Sequence, residues 1–203
     1  MNPKNKSVEF FDAQFQRQVR EQDYSLNPFE VRALDYLRGE VLDLGSGLGN
    51  LSLEAARRGH SVVAVDASTA AVARIESVAR RERLPVRAIQ EDVEKWTIDR
   101  SYGSLVAIGL LMFLAREAAL ALLRRIQEHV KPSGVAVVNV LVEGTTYVDM
   151  FDRDNYYLFA RNELEERFAD WKILSSSHEE FPAPEGTRKV FSTVIAERPS
   201  RSL

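Results

Sequence analysis

From Val41 onward the chain repeats one unit: a short apolar run rich in β-branched residues, then a stretch of helical periodicity. The runs are "VLDLG", "SVVAVD", "VRAIQ", "SLVAIG" and "GVAVVNVLV". Between them lie "NLSLEAARRG", ending at Gly59, "STAAVARIESVARRER", stopped before Pro85, and "AREAALALLRRIQEHV". Strands with no polar alternation are strands buried on both faces, and helical crossovers join parallel neighbours, so the pattern predicts an α/β fold with a parallel sheet covered on both sides by helices. Each crossover should be right-handed.

The two ends depart from that unit. Residues 8–22 place Phe11, Phe15 and Val19 on one face of an amphipathic helix. In "LNPFEVRALDYLRG", Asn27 as N-cap, Pro28 at the first helical position and Glu30 closing a capping box predict a second helix, with Gly39 at its end. Near the C-terminus Asn162 and Glu165 suggest another capping box, starting "ELEERF". The runs "WKILSSSH" and "KVFSTVIAE" then follow with no helix between them, so one of the two must be antiparallel. The expected organisation is a single domain over 1–203, with the helices of 1–38 as a lid on a core of 39–203.

Composition removes several function classes. With 27 basic against 30 acidic residues and a formal charge of -3, the chain is a poor candidate for nucleic acid. The arginine pairs at 57–58, 80–81 and 124–125 fall late in predicted helices, where cations offset the helix dipole. There is no cysteine, hence no disulfide or thiolate chemistry, and three isolated histidines offer no metal-ligand spacing. No run is long and apolar enough for a signal peptide or membrane helix, so a cytoplasmic location with no membrane partner is expected.

The loop behind the first strand, "VLDLGSGLGN", narrows the ligand. In an open parallel sheet ligands bind beyond the carboxyl ends of the strands, where strand order reverses. A dinucleotide site wants GxGxxG; here Gly45, Gly47 and Gly49 are spaced GxGxG, and Asp43 puts a carboxylate near where a pyrophosphate would lie. That weakens a nicotinamide-dependent dehydrogenase as the alternative, and nothing matches the P-loop. S-adenosylmethionine, with an ammonium, a sulfonium, one carboxylate and no phosphate, suits the same loop. Asp66, ending the second strand 21 residues beyond Gly45, is placed to accept from two ribose hydroxyls.

"VLDLGSGLGN", "VVAVDAS", "IQEDVEKW", "VAIGLLMFL" and "VKPSGVAVVNV" together resemble, in order and spacing, the motifs of class I S-adenosylmethionine-dependent methyltransferases. "LLMFL", "KPSG" and "NELEERFADWKIL" with a histidine soon after look most like the tellurite-resistance (TehB-type) methyltransferases. The resemblance implies a Rossmann-like seven-stranded sheet, mostly parallel with an antiparallel last strand. It also implies S-adenosylmethionine as donor, S-adenosylhomocysteine as product and a small-molecule acceptor. Beyond Asp43, the glycines and Asp66 with Ala67, it points to Asp92 and Val93 at the adenine edge, Gly109 and Leu110 at the methionine ammonium, and Met112 covering the adenine. Two positions depart from the family: Ser46 stands where cysteine is frequent, and Gly103 where an acid usually precedes the fourth strand.

For the acceptor side, His178 after a late strand is the expected general base, with Arg188 positioning an anion. "GTTY" from Gly144 and the aromatic "MFDRDNYYLF" form a long stretch without clear structure, which, with the first helix, is the expected acceptor pocket. A non-catalytic binding domain for S-adenosylmethionine or a nucleoside would share every donor residue.

Overall fold

All four residues of the first strand, β1 (Val41–Leu44), are buried. It is flanked by β2 (Val62–Asp66) and β4 (Tyr102–Ile108), both parallel to it. β3 (Val86–Gln90) extends the sheet beyond β2 and β5 (Val130–Leu141) extends it beyond β4, giving the order β3-β2-β1-β4-β5-β7-β6. β7 (Arg188–Glu197) is antiparallel both to β5 and to β6 (Lys172–Pro182), so β6 keeps the direction of the parallel strands. This is the α/β, Rossmann-like, seven-stranded sheet with an antiparallel last strand that the sequence predicts. Strand order reverses between β1 and β4, directly under the glycine loop. The structure, a computed structural model, describes residues 6–152 and 155–200, the side chains of residues 6–9 excepted.

Helices cover both faces. On one, α2 (Pro28–Leu34) and α3 (Asn50–Arg57) bury Ala33, Leu34, Leu51 and Ala55 against Val41, Val62, Val106 and Val137. α4 (Thr69–Glu82) joins them through Ile75 and Val78 on Ala64. On the other, α5 (Arg116–His129) and α6 (Glu163–Arg167) pack on Leu44, Val65, Leu105 and Val138. Each fully buried Leu, Val or Ile stabilises the fold by roughly 1.5–3 kcal/mol relative to exposure.

The capping box at α2 forms as expected: Glu30 N–H donates to Asn27 Oδ1 at 2.9 Å and Asn27 N–H to Glu30 Oε2 at 2.8 Å. The helix stops at Leu34, however, and Gly39, with φ +56°, turns the chain into β1. The second expected box does not form. Asn162 makes no side-chain cap and sits at φ -106°, ψ 10°, outside the extended region an N-cap needs. Glu165 instead accepts from Ser176 Oγ of β6 at 2.6 Å, so a tertiary partner takes the carboxylate that the local pattern assigned to the helix start.

The segment after β5 is a plug more than a free loop. Phe151 and Phe159 are fully buried, and Val142 bridges to Phe159. Met150 alone of "MFDRDNYYLF" reaches the cavity described below; residues 153 and 154 of that stretch lie outside the described residues. Gly103 has its own reason to lack the family's acid: a Cβ there would stand 2.3 Å from the Arg38 carbonyl oxygen, a backbone atom that cannot yield.

Candidate functional site

The loop Gly45–Gly49 turns from β1 into α3 with all three glycines at positive φ: +65°, +52° and +75°. Side chains are strained there, which is why glycine recurs at every second position. The loop is tied to β2 by Gly45 and Ser46 N–H donating to the Val65 carbonyl at 2.9 and 3.1 Å. The glycines then divide their work. Gly45 and Gly47 line a cavity of about 600 Å³ at the strand ends, whereas Gly49 does not. A Cβ on Gly49 would lie 2.4 Å from Ile75 Cγ1, so its bareness serves the packing of α3 against α4.

Asp66, at the end of β2, holds the loop from the cavity side. Its Oδ2 accepts from Gly47 N–H at 2.7 Å and its Oδ1 from Ser68 N–H at 2.8 Å, leaving each oxygen a second lone pair for a ligand. Burial raises its pKa against the pull of those two bonds. Asp43 lies beneath the loop rather than in the cavity wall, its Oδ2 accepting from Ser52 Oγ at 2.6 Å. Burial, with Glu30 and Asp66 nearby, pushes it up to about 7. Glu30 lines the cavity and is likewise raised by burial. One buried and two half-buried carboxyl groups, with no cation paired to them among the described residues, form a site that a positively charged ligand would stabilise.

Along the rest of the wall the expected residues assemble in strand order. Ala67 follows Asp66, Asp92 and Val93 come after β3, and Gly109, Leu110 and Met112 after β4, all lining the same cavity. Asp92 accepts from Glu94 N–H at 3.0 Å and pairs with Lys95 Nζ at 3.0 Å, so it sits as the lip of that edge. Leu110 packs against Gly45, where a Cβ would come within 2.8 Å of its Cδ1. Buried Ser46 Oγ and Asn50 Oδ1 on the same wall have no hydrogen-bond partner among the described residues, an open demand for a polar ligand.

α1 (Lys6–Glu21) closes the cavity from above. Asp12 accepts from Ser68 Oγ, Phe15 stands 3.2 Å from where a Gly47 Cβ would be, and Phe11 meets Phe113 edge-on at 4.9 Å. Val19 of the same face points away, into a wider depression of about 1010 Å³ between α1, α3 and α4. That depression lies off the strand ends, and its Arg57 and Arg74 are already engaged, by Glu82 and by the Leu48 carbonyl.

The two expected acceptor-side residues lie outside the cavity. His178 pairs in register with Ser192, and therefore faces the α6 side of the sheet, where its Nε2 donates to the Arg161 carbonyl at 2.6 Å. Arg188 is exposed and donates to the Gly144 carbonyl at 3.0 Å. Alternation along β7 instead turns Lys189 and Phe191 into the cavity. Asn139, the one polar residue in the apolar run of β5, joins them there. That polar break in a buried strand is a signal in the sequence; Lys189, one residue from Arg188, carries no such signal. Among the described residues no group of histidine, aspartate and glutamate is arranged to hold a metal ion, and no helix is long and apolar enough to cross a membrane.

The family model for the tellurite resistance protein TehB matches residues 21–181. The chain belongs to the TehB family. It is 29% identical over 136 residues to a probable S-adenosyl-L-methionine-dependent methyltransferase TehB of Haemophilus influenzae strain 10810, covering 66% of this chain and 46% of that one. It is 30% identical over 135 residues to a protein named hemagglutinin 1 of Eikenella corrodens, covering 66% and 44% respectively. The chain thus spans less than half the length of these two curated relatives. The crystal structure of TehB from Haemophilus influenzae superposes with a TM-score of 0.75 at 21% identity, over 95% of this chain and 67% of that one, a likeness of fold.

Proposed function

We propose that the cavity binds S-adenosylmethionine and that the chain transfers its methyl group to a small-molecule acceptor. The observation that carries this reading is the convergence of Gly45, Gly47, Asp66, Asp92 and Gly109 on one cavity at the switch point of the sheet, over carboxyl groups with no paired cation among the described residues. TehB-family membership supports it. When bound, the donor supplies a methyl group made electrophilic by its sulfonium.

The protein's part is to bind, orient and exclude water. Asp66 accepts from the ribose hydroxyls with its free lone pairs, charge-assisted bonds worth about 1.5–3 kcal/mol each. Glu30, Asp43 and Asp66 set a negative field for the ammonium and sulfonium, while Asp92, Val93 and Met112 bound the adenine. α1 and α2, within residues 1–38, act as the lid, and the rings of Phe11 and Phe15 keep water from the reacting atoms. Holding the acceptor in line with the methyl group supplies most of the rate for such a displacement. His178 and Arg188 take no part in this account, because neither reaches the cavity. We extend the proposal to a cytoplasmic location.

Thermal denaturation with S-adenosylmethionine, S-adenosylhomocysteine and NAD in parallel tests the reading. A ligand at 100 times its Kd adds about 2.7 kcal/mol, or roughly 5–10 °C at this chain length. Shifts with the first two and none with NAD are expected; a shift with NAD alone would overturn it.

A further inference from the structure

The wall of the cavity away from the glycine loop is made of rings. Phe11 meets Phe113, and Phe29 meets Phe191 at 4.9 Å, with Leu141 and Met150 beside them. Two polar groups stand in that apolar wall. Asn139 is fully buried; its Nδ2 donates to Thr193 Oγ1 at 2.8 Å and its Oδ1 has no partner among the described residues. Lys189 lines the cavity with its Nζ 4.8 Å from the Tyr147 ring centroid. Burial depresses its pKa, with no carboxylate among the described residues acting in the other direction.

Strand register sets the distance between them. Asn139 pairs with Thr193 on β7 and with Ile108 on β4, and its carbonyl accepts from Gly109 N–H, so it belongs to the donor end of the cavity. Lys189 lies four residues along β7 from Thr193, roughly 13 Å at about 3.3 Å per residue. Leu141 and Phe191, paired in register, lie between. The chamber therefore has a hydrogen-bond acceptor at one end, a cation at the other and ring faces between. A compact inorganic oxyanion would engage Lys189 and leave the rings against water; a flat apolar body with a charged end covers both.

We propose that the acceptor bound here is a small aromatic monoanion, its O–H or N–H held by Asn139 Oδ1 and its carboxylate by Lys189; the S–CH3 bond of the donor breaks as O–CH3 or N–CH3 forms, S-adenosylhomocysteine leaves neutral at sulfur, and the displaced proton passes to solvent. This rests on the methyl-transfer reading and names the acceptor class for that site. Lys189 and Asn139 are then the specificity-determining residues, and the exposed Arg188 is not.

Calorimetric binding to the full chain, with and without saturating S-adenosylhomocysteine, tests it with three probes: 3-(4-hydroxyphenyl)propanoate, its uncharged amide, and selenite. The acid should bind about tenfold tighter than the amide. Lys189→Met should bring the two within about twofold without changing affinity for the amide or for S-adenosylhomocysteine, and Arg188→Met should keep the preference. Equal affinity for acid and amide, a preference that survives Lys189→Met, selenite binding more tightly than the acid, or no binding of either aromatic probe would each overturn the proposal. Failure of S-adenosylhomocysteine to bind while the anion preference holds would refute the donor assignment alone.

Discussion

Replacing Asp43 with asparagine should stabilise the free protein, by an amount that depends on pH. The carboxyl group is 5% exposed, bonded to Ser52 Oγ, and pushed up to about 7 from an ordinary value of 3.8. At 1.36 kcal/mol per pH unit, that displacement amounts to about 4 kcal/mol. Because the folded state holds the proton more tightly than the unfolded chain, stability falls as pH rises. The loss begins near pH 4, grows to pH 7 and is complete by about pH 8. The variant keeps the shape and does not titrate, so the difference reports Asp43 together with its repulsion of Glu30 and Asp66. Urea unfolding across this range should show the two proteins within about 1 kcal/mol near pH 4 and about 4 kcal/mol apart at pH 8, equivalent to roughly 8–16 °C in melting midpoint. Saturating S-adenosylhomocysteine should narrow the gap, since its ammonium favours the ionised carboxylate, and wild-type affinity for it should tighten as pH rises through 7. A constant difference between the proteins at pH 4.5 and 8, or a variant less stable at both, would refute the reasoning.

Gly49→Ala should cost about 2–5 kcal/mol in urea unfolding, combining a left-handed backbone at φ +75° with a Cβ driven against Ile75. Phe15→Ala uncovers Gly47 and should weaken S-adenosylhomocysteine about fivefold by calorimetry, roughly 1 kcal/mol for the ring's partial burial. His178→Ala should leave kcat/KM for methyl transfer within about twofold, because Nε2 is bonded to the Arg161 carbonyl on the far face of the sheet. A drop of a hundredfold there would restore it as a base.

The donor half of the site could be read from the sequence because it depends on backbone geometry. Glycine at positive φ and carboxylates at strand ends are local features, and their order along the chain is their order in the sheet. Gly49 shows the limit: its spacing marked it as a ligand contact, whereas its neighbour in space is Ile75, from another helix. The acceptor half depends on which face of β6 and β7 each side chain takes, and a one-residue change of register exchanges the faces. His178 and Arg188 were on the wrong side of that alternation for the cavity, and Lys189 and Phe191 on the right one. The aromatic run after β5 reads as an acceptor-pocket loop because it lacks periodicity; it lacks periodicity because Phe151 and Phe159 are anchored singly in the core.

The central claim, a donor site built on the glycine loop and Asp66, is tested most directly by calorimetric titration of S-adenosylhomocysteine into wild type and Asp66→Asn at pH 8. Saturable binding to wild type is expected, with affinity weakened about tenfold to a hundredfold in the variant as one charged acceptor is lost. Absence of binding to wild type, or equal affinity in both proteins, would contradict it.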